Sequence, residues 1–282
     1  MCRWMAWFGQ PVLMEELLFK TQHGLVDQSL HSRMGAETTN GDGIGVGWYG
    51  DGDGPAVYRN VSPAWADPNL RELAAHVESP LFLSHVRAAI GSPVQQTNCH
   101  PFRHGRWLFV HNGFVDGFAA MRRELMLTLD AELFAAVHGS TDTEVIFHLA
   151  LSEGLEDDPI GAMETVLGRI EDVAEAHGIA NAVQGSFGIS DGDHLWAVRY
   201  STAGKSRSLF ASNDIDAIKR LHPDNERLRI AHEGDRVIVS EPFADLSGAW
   251  TEIPEATAVT VHRGGAMELA DFRPAHMPAA VA

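Results

Sequence analysis

The sequence predicts an α+β fold in which two antiparallel sheets carry helices on their outer sides. Strand-like segments come first, a helical middle follows, and strands return. A chain that does not alternate strand and helix argues against a Rossmann-type parallel sheet. At 282 residues it is long enough to form a large core without disulfide or metal, since chains near this length bury roughly 75% of their unfolded surface. Hydrophobic residues are 45% and charged residues 21%, as in ordinary globular proteins. No repeat or low-complexity linker divides the chain, so residues 1–270 are expected to form a single domain and 271–282 a loose tail.

The elements follow in order. Residues 12–20 read as a helix. Glycines cluster at 41–54 (GDGIGVGWYGDGDG), where GVGWY and PAVYR read as hairpin strands around a loop at 51–54. Further strands are expected at 81–90, 106–111, 182–190, 193–200, 207–212, 235–240 and 257–263, from β-branched and aromatic enrichment. Helices are expected at 69–78, 116–126, 130–138, 142–153 and 159–176. The last places Ile160, Met163, Val166, Leu167, Ile170 and Val173 on one buried face and Glu164, Glu171, Asp172 and Glu175 on a solvated one.

Composition excludes some function classes. The net charge of −17 argues against a nucleic-acid backbone or an anionic membrane as partner. No apolar run approaches the ~18 residues of a membrane helix. The N-terminus lacks the uninterrupted apolar core and cleavage site of a signal peptide. Two cysteines, Cys2 and Cys99, make no disulfide scaffold, and a cytoplasmic location is expected. No G-x-x-x-x-G-K loop is present for a nucleotide, and no cofactor is expected.

Four features bear on chemistry. Removal of Met1 would make Cys2 the N-terminus, placing a thiol and an α-amine on one residue, a nucleophile with its own base; by position alone it reads as an incidental cysteine at a frayed terminus. Ser79 to Val115 contains no Asp or Glu where about five are expected, yet holds Arg87, Arg103, Arg106 and four histidines, suiting it to receive a carboxylate. His111-Asn112-Gly113 follows the apolar RWLFV, and a Gly N–H at a strand exit beside an Asn amide can make a two-donor oxyanion hole. Asn-Gly is also a common hairpin turn. Thr141 and Glu144 form a capping box, which puts Asp142 in a helix's first turn, able to bind an ammonium group or to remain a surface acid. The four histidines His85, His100, His104 and His111 match no compact zinc spacing, and no metal site is assigned.

Met1-Cys2, His85-Val86-Arg87, Asn98-Cys99-His100-Pro101-Phe102, His111-Asn112-Gly113 and Thr141-Asp142-Thr143-Glu144 occur in the order and spacing of one family. The chain resembles the class II glutamine amidotransferases, which are N-terminal-nucleophile hydrolases. GDGIGVGWY resembles the D-G-x-G-x-x-W-Y strand of the stand-alone YafJ- and EgtC-like branch. The resemblance covers roughly residues 1–260 and implies a four-layer αββα sandwich. It implies catalytic roles for Cys2 as nucleophile and for Asn112 (side chain) and Gly113 (backbone N–H) as oxyanion donors. It implies substrate-binding roles for Arg87 on the α-carboxylate and Asp142 on the α-ammonium. Arg3 departs from the Gly that follows the nucleophile in glucosamine- and purine-pathway members, and Cys99 is expected to be a buried neutral thiol.

The expected function is hydrolysis of the γ-amide of glutamine or a γ-glutamyl compound through a cysteine thioester. One alternative is a γ-glutamyl-metabolite hydrolase of the EgtC type, toward which the MCRW start and VIVSEPFAD at 237–245 lean. Another is a non-catalytic γ-glutamyl-binding subunit. The expected partner is a small-molecule substrate, with a separate synthase subunit or self-association left open.

Overall fold

The computed structural model describes residues 2–34, 38–221, 224, 229–244 and 246–276. Strand β1 (Arg3–Leu13) leads into the short helices α1 (Met14–Leu18) and α2 (Leu25–Leu30). The hairpin β2 (Ile44–Trp48) and β3 (Ala56–Asn60) follows, then α3 (Pro68–His76) and β4 (Glu78–Val86). After β5 (Phe102–His104) and β6 (Trp107–Val115) come α4 (Phe118–Met126), α5 (Ala131–Ala136), α6 (Asp142–Ser152) and α7 (Pro159–Ala176). The chain closes with β7 (Val183–Ser190), β8 (His194–Ser201), β9 (Phe210–Ser212), α8 (Ile215–Leu221), β10 (Arg236–Val239), β11 (Trp250–Glu252), β12 (Thr257–His262) and β13 (Met267–Asp271).

The strands form two sheets, in the orders β11-β9-β10-β1-β4-β2-β3 and β13-β12-β8-β7-β6-β5, with every pairing antiparallel. Side-chain alternation sorts residues into layers. Trp4, Ala6 and Phe8 of β1 pack with Leu81, Leu83, Leu108, Val110, Val259 and Val261 between the sheets. Met5 and Trp7 point outward to Met14, Leu17, Leu18, Leu70 and Ala74 of α1 and α3. Phe109, Phe187 and Ile189 point outward from the second sheet onto α4, α6 and α7, where Phe109 stacks on Phe147 at 5.2 Å. This is the four-layer αββα sandwich.

The N-terminal segment shows why two-faced burial hides a strand. β1 is central in its sheet, and Arg3 to Phe8 are all buried, so the segment has no polar alternation to read. Val12 and Leu13 end this strand, and the helix expected at 12–20 shrinks to α1. Strand β6 runs on to Val115, so His111-Asn112-Gly113 lies inside a strand and not at its exit or in a turn. Glu171, expected on a solvated face, is buried and accepts from Tyr200 Oη at 2.6 Å and Thr202 Oγ1 at 2.5 Å.

The tail expected to be loose from Asp271 is docked as far as His276. Asp271 ends β13, and Phe272 is buried in the helical core. Ala275 N–H donates to Glu164 O at 2.9 Å. The cause is Gly168 in mid-helix, where a Cβ would stand 2.2 Å from Ala275 O. Residues 277–282 lie outside the described residues, as does Met1.

Candidate active site

The start of β1 and the far half of β6 come together at one end of the inter-sheet layer. Cys2 precedes Trp4 by two residues, so the period of two directs it to the same inner face. Asn112 shares parity with Val110 and is also inner, whereas His111 turns outward and stacks on Phe187 at 4.4 Å. Cys2, Arg87, Asn112, Gly113 and Asp142, all expected site residues, line a single cleft of about 530 Å³. Ser92, Phe114 and Arg207, which belong to none of the expected motifs, line it too.

The Cys2 sulfur is held by Ala88, whose N–H donates to it at 3.4 Å and whose carbonyl lies 3.5 Å away. Burial pushes its pKa up, outweighing the Ala88 N–H and the nearby Arg87 cation. A thiol kept protonated at rest needs a base at the moment of attack.

Arg87 sits just past β4 and is 2% exposed. Its Nη2 donates to Ser92 Oγ at 2.6 Å, while among the described residues its buried Nη1 has no partner. An unspent buried guanidinium N–H is costly unless a ligand takes it, and a carboxylate is the group that matches its fork. The backbone beneath is tight. Arg87 N–H donates to Gly43 O at 2.8 Å, and Gly43 has φ +136° with Cys99 Sγ 2.6 Å from where a Cβ would stand. Cys99 is buried there, with burial raising its pKa.

The ladder sets where the Gly113 N–H points. Asp116 N–H donates to Ala182 O at 2.7 Å, which continues the β6–β7 register. Donors facing a neighbouring strand alternate in an antiparallel pair. Residues 112, 114 and 116 therefore turn their N–H groups to β7, and 113 and 115 turn theirs away. β5 pairs only as far as Phe109, so that side of β6 is open at 113 and 115. Val115 N–H bears this out by donating to Asp142 Oδ2 at 2.8 Å. Gly113 N–H points off the same edge, beside the inner-facing Asn112 amide.

Asp142 opens α6. Its Oδ1 accepts from Thr143 N–H at 2.8 Å and from Thr143 Oγ1 at 3.3 Å, and its Oδ2 from Val115 N–H, which leaves a lone pair on Oδ2 for a substrate donor. The capping box expected here is half formed. Thr141 Oγ1 accepts from Glu144 N–H at 3.2 Å, but the Glu144 carboxylate accepts from His138 and Gly139 N–H at 2.9 and 2.6 Å. Two histidines, His100 and His111, wall the site as neutral rings, with His85 packed behind His100. Burial lowers His85 to about 3 and His100 well below its ordinary value, and lowers His111 as well. His85 and His100 stack at 4.0 Å, and His111 Nδ1 reaches Thr143 Oγ1 at 3.0 Å, tying β6 to α6. Among the described residues no group of three or more His, Cys, Asp or Glu is placed to hold a metal ion.

A second cluster lies behind the nucleophile. Arg3 points to the outer face, opposite Cys2, and its Nε donates to Glu241 Oε2 at 2.8 Å with both side chains buried. Glu241 also takes Ser32 Oγ at 2.9 Å, Arg33 N–H at 2.9 Å and His23 Nε2 at 2.5 Å. Burial opposes its ionisation, but Arg33 N–H, His23 and Arg3 outweigh that and bring its pKa down to about 2. An acid ending the apolar VIVS run was the one trace of this cluster in the sequence.

Comparison with known proteins agrees with this geometry. The family model described as "Glutamine amidotransferases class-II" matches residues 19–278. The probable glutamine amidotransferase DUG3 of Saccharomyces cerevisiae is 29% identical over 93% of this chain and 82% of its own. The gamma-glutamyl-hercynylcysteine sulfoxide hydrolase of Mycolicibacterium smegmatis is 28% identical over 93% of this chain and 96% of its own. A solved structure of a glutamine aminotransferase class-II domain protein from Silicibacter pomeroyi superposes with a TM-score of 0.73 at 35% identity, covering 97% of this chain and all of that one.

Proposed function

The chain belongs to the class-II glutamine amidotransferases, and from that premise we propose that it hydrolyses the γ-amide of glutamine or of a γ-glutamyl compound through a thioester on Cys2. The observation that carries this is the convergence of Cys2, Arg87, Asn112, Gly113 and Asp142 on one cleft. Arg87 takes the α-carboxylate of the glutamyl group and Asp142 its α-ammonium, which fixes the γ-carbonyl over the sulfur. The α-amine of Cys2, freed by loss of Met1, accepts the thiol proton as sulfur attacks the γ-carbon. Asn112 and Gly113 hold the oxyanion. The protonated amine then gives its proton to the leaving nitrogen, and the C–N bond breaks. Water, deprotonated by the same amine, attacks the thioester carbon and releases glutamate and the thiol.

A γ-glutamyl metabolite larger than glutamine is the second reading, favoured by the name of the Mycolicibacterium relative and its near-complete coverage. In either case the chain through His276 acts as one domain, with no cofactor, on a small-molecule substrate. Two free cysteines favour the cytoplasm as its compartment, and among the described residues no helix is long and apolar enough to cross a membrane. A separate synthase chain is not required for hydrolysis. The test is a panel of glutamine, glutathione and γ-glutamyl-cysteine derivatives with the Met-processed protein. We expect turnover of γ-glutamyl amides with bulky leaving groups, unchanged by EDTA or ATP. Strict restriction to glutamine, or activity only with a second protein added, would point to an ammonia-donating subunit instead.

The recognition residues make a separate prediction. Arg87→Lys keeps the charge and loses the fork, so KM should rise more than kcat falls. Asp142→Asn should lower kcat/KM by removing the ion pair to the ammonium. Steady-state kinetics on both variants checks the assignment, and a fall in kcat at constant KM for Arg87→Lys would contradict it.

A further inference from the structure

We infer that Arg3 and Glu241 are positioning residues, a buried ion pair that sets the orientation of the nucleophile without touching substrate. The inference rests on Cys2 acting as proposed above. Once Met1 is removed, Cys2 is joined to the protein by a single peptide bond, so its sulfur and α-amine are placed only by the Cys2–Arg3 peptide plane, the torsions at Cα and side-chain contacts. Both ends of that short lever are held. Ala88 contacts the sulfur at 3.4 and 3.5 Å. Arg3 Nη1 donates to the Cys2 carbonyl at 2.9 Å and fixes the peptide plane. With plane and sulfur held, the Cα between them is fixed, and so is the direction of the amine.

The guanidinium can do this only because its other side is anchored. Its Nε bonds Glu241 at 2.8 Å and its Nη2 bonds Ser32 Oγ at 2.5 Å. Glu241 is in turn braced by His23 Nε2 and by the Arg33 and Met34 N–H groups, the last at 3.1 Å. A buried ion pair is weak evidence for stability, because desolvating both charges offsets the attraction between them. It is a strong means of fixing one geometry, because the planar fork presents donors in set directions. The alternation of β1 turns the Arg3 side chain away from the cleft, so it acts on the reaction through Cys2, whose carbonyl it holds. The Arg at this position and the Glu of the VIVSEPF segment, 238 residues apart, are thereby one device.

Steady-state kinetics on a γ-glutamyl anilide, with melting curves on the same samples, tests this. Arg3→Lys cannot bond the Cys2 carbonyl and Glu241 together. It should melt near wild type and lose about 10- to 100-fold in kcat, the scale of a misplacement near 1 Å, with KM within about twofold. Arg3→Met and Glu241→Gln should each lose kcat, and the double variant should be no worse than the poorer single, because both remove the same link. If Glu241→Gln does not fold, Arg3→Lys and Ser32→Ala decide. Folded variants with wild-type kcat, a loss confined to KM, or losses that multiply in the double variant would overturn the inference. Wild-type protein inactive on every γ-glutamyl amide would overturn the catalytic reading and this inference together. Active wild type with unaffected variants would overturn the inference alone.

Discussion

Cys2→Ala is expected to abolish turnover and leave the fold intact. No other thiol in the cleft can form the thioester, and loss of a nucleophile from a concerted site costs about 10⁶ in kcat in comparable hydrolases. The fold should survive because the side chain lies ahead of β1 and, among the described residues, makes its hydrogen-bond contacts with Ala88 alone. Cys99→Ala is the counterpart. Cys99 is fully buried against the Gly43 turn, so stability should fall, by about 1–2 kcal/mol for a small buried group, with kcat nearly unchanged. Intact mass of the active enzyme should show loss of one Met, and a glutamine-like diazo-ketone should label Cys2. Full activity with Met1 retained would refute the α-amine as base, and a comparable catalytic loss at Cys99 would mean that the wrong thiol was chosen.

Asn112→Ala should lower kcat by about 10²–10³, the usual cost of one oxyanion donor, or about 2.7–4 kcal/mol of transition-state stabilisation. The donor pair depends on strand geometry. Asn112 supplies a side-chain amide on the inner face, and Gly113 supplies an N–H off the strand edge. Removing one leaves the other in place, so binding of the ground state should change little. A rise in KM at constant kcat would show that Asn112 contacts some other part of the substrate.

The candidate site was more legible in the sequence than the sheet that carries it. Cys2, Arg87, Asn112, Gly113 and Asp142 were each identifiable from residue chemistry and family spacing, and the cleft gathers all of them. Helix α7 was readable to its ends because one face is apolar and Pro159 opens it. Strand β1 was not, because burial on both faces removes the alternation that marks a strand. β5 and β11, at three residues each, are too short to show a period. Gly113 was identified for its backbone N–H but for the wrong reason. The donor is free because β5 stops pairing at Phe109, a matter of strand lengths that no local motif encodes. Arg3 and Glu241 both lie in segments noticed in the sequence, but their pairing was not legible, because a contact over such a separation leaves no local signature.

The place of β1 at the centre of its sheet also orders events in time. The strand that begins just after Cys2 pairs with β4 on one side and with β10, residues 236–239, on the other. A ribosome adding 5–20 residues per second needs on the order of tens of seconds to travel from the first of these segments to the last. During that interval β1 has no completed sheet to enter, which leaves the segment around Cys2 accessible for the proposed removal of Met1. Only after residues 236–241 emerge can the strand be flanked on both sides and Glu241 reach Arg3. On the proposed mechanism, maturation at Cys2 can therefore precede closure of the cleft, and a chain that stops short of residue 236 would carry the Cys2 thiol without the Arg3–Glu241 pair.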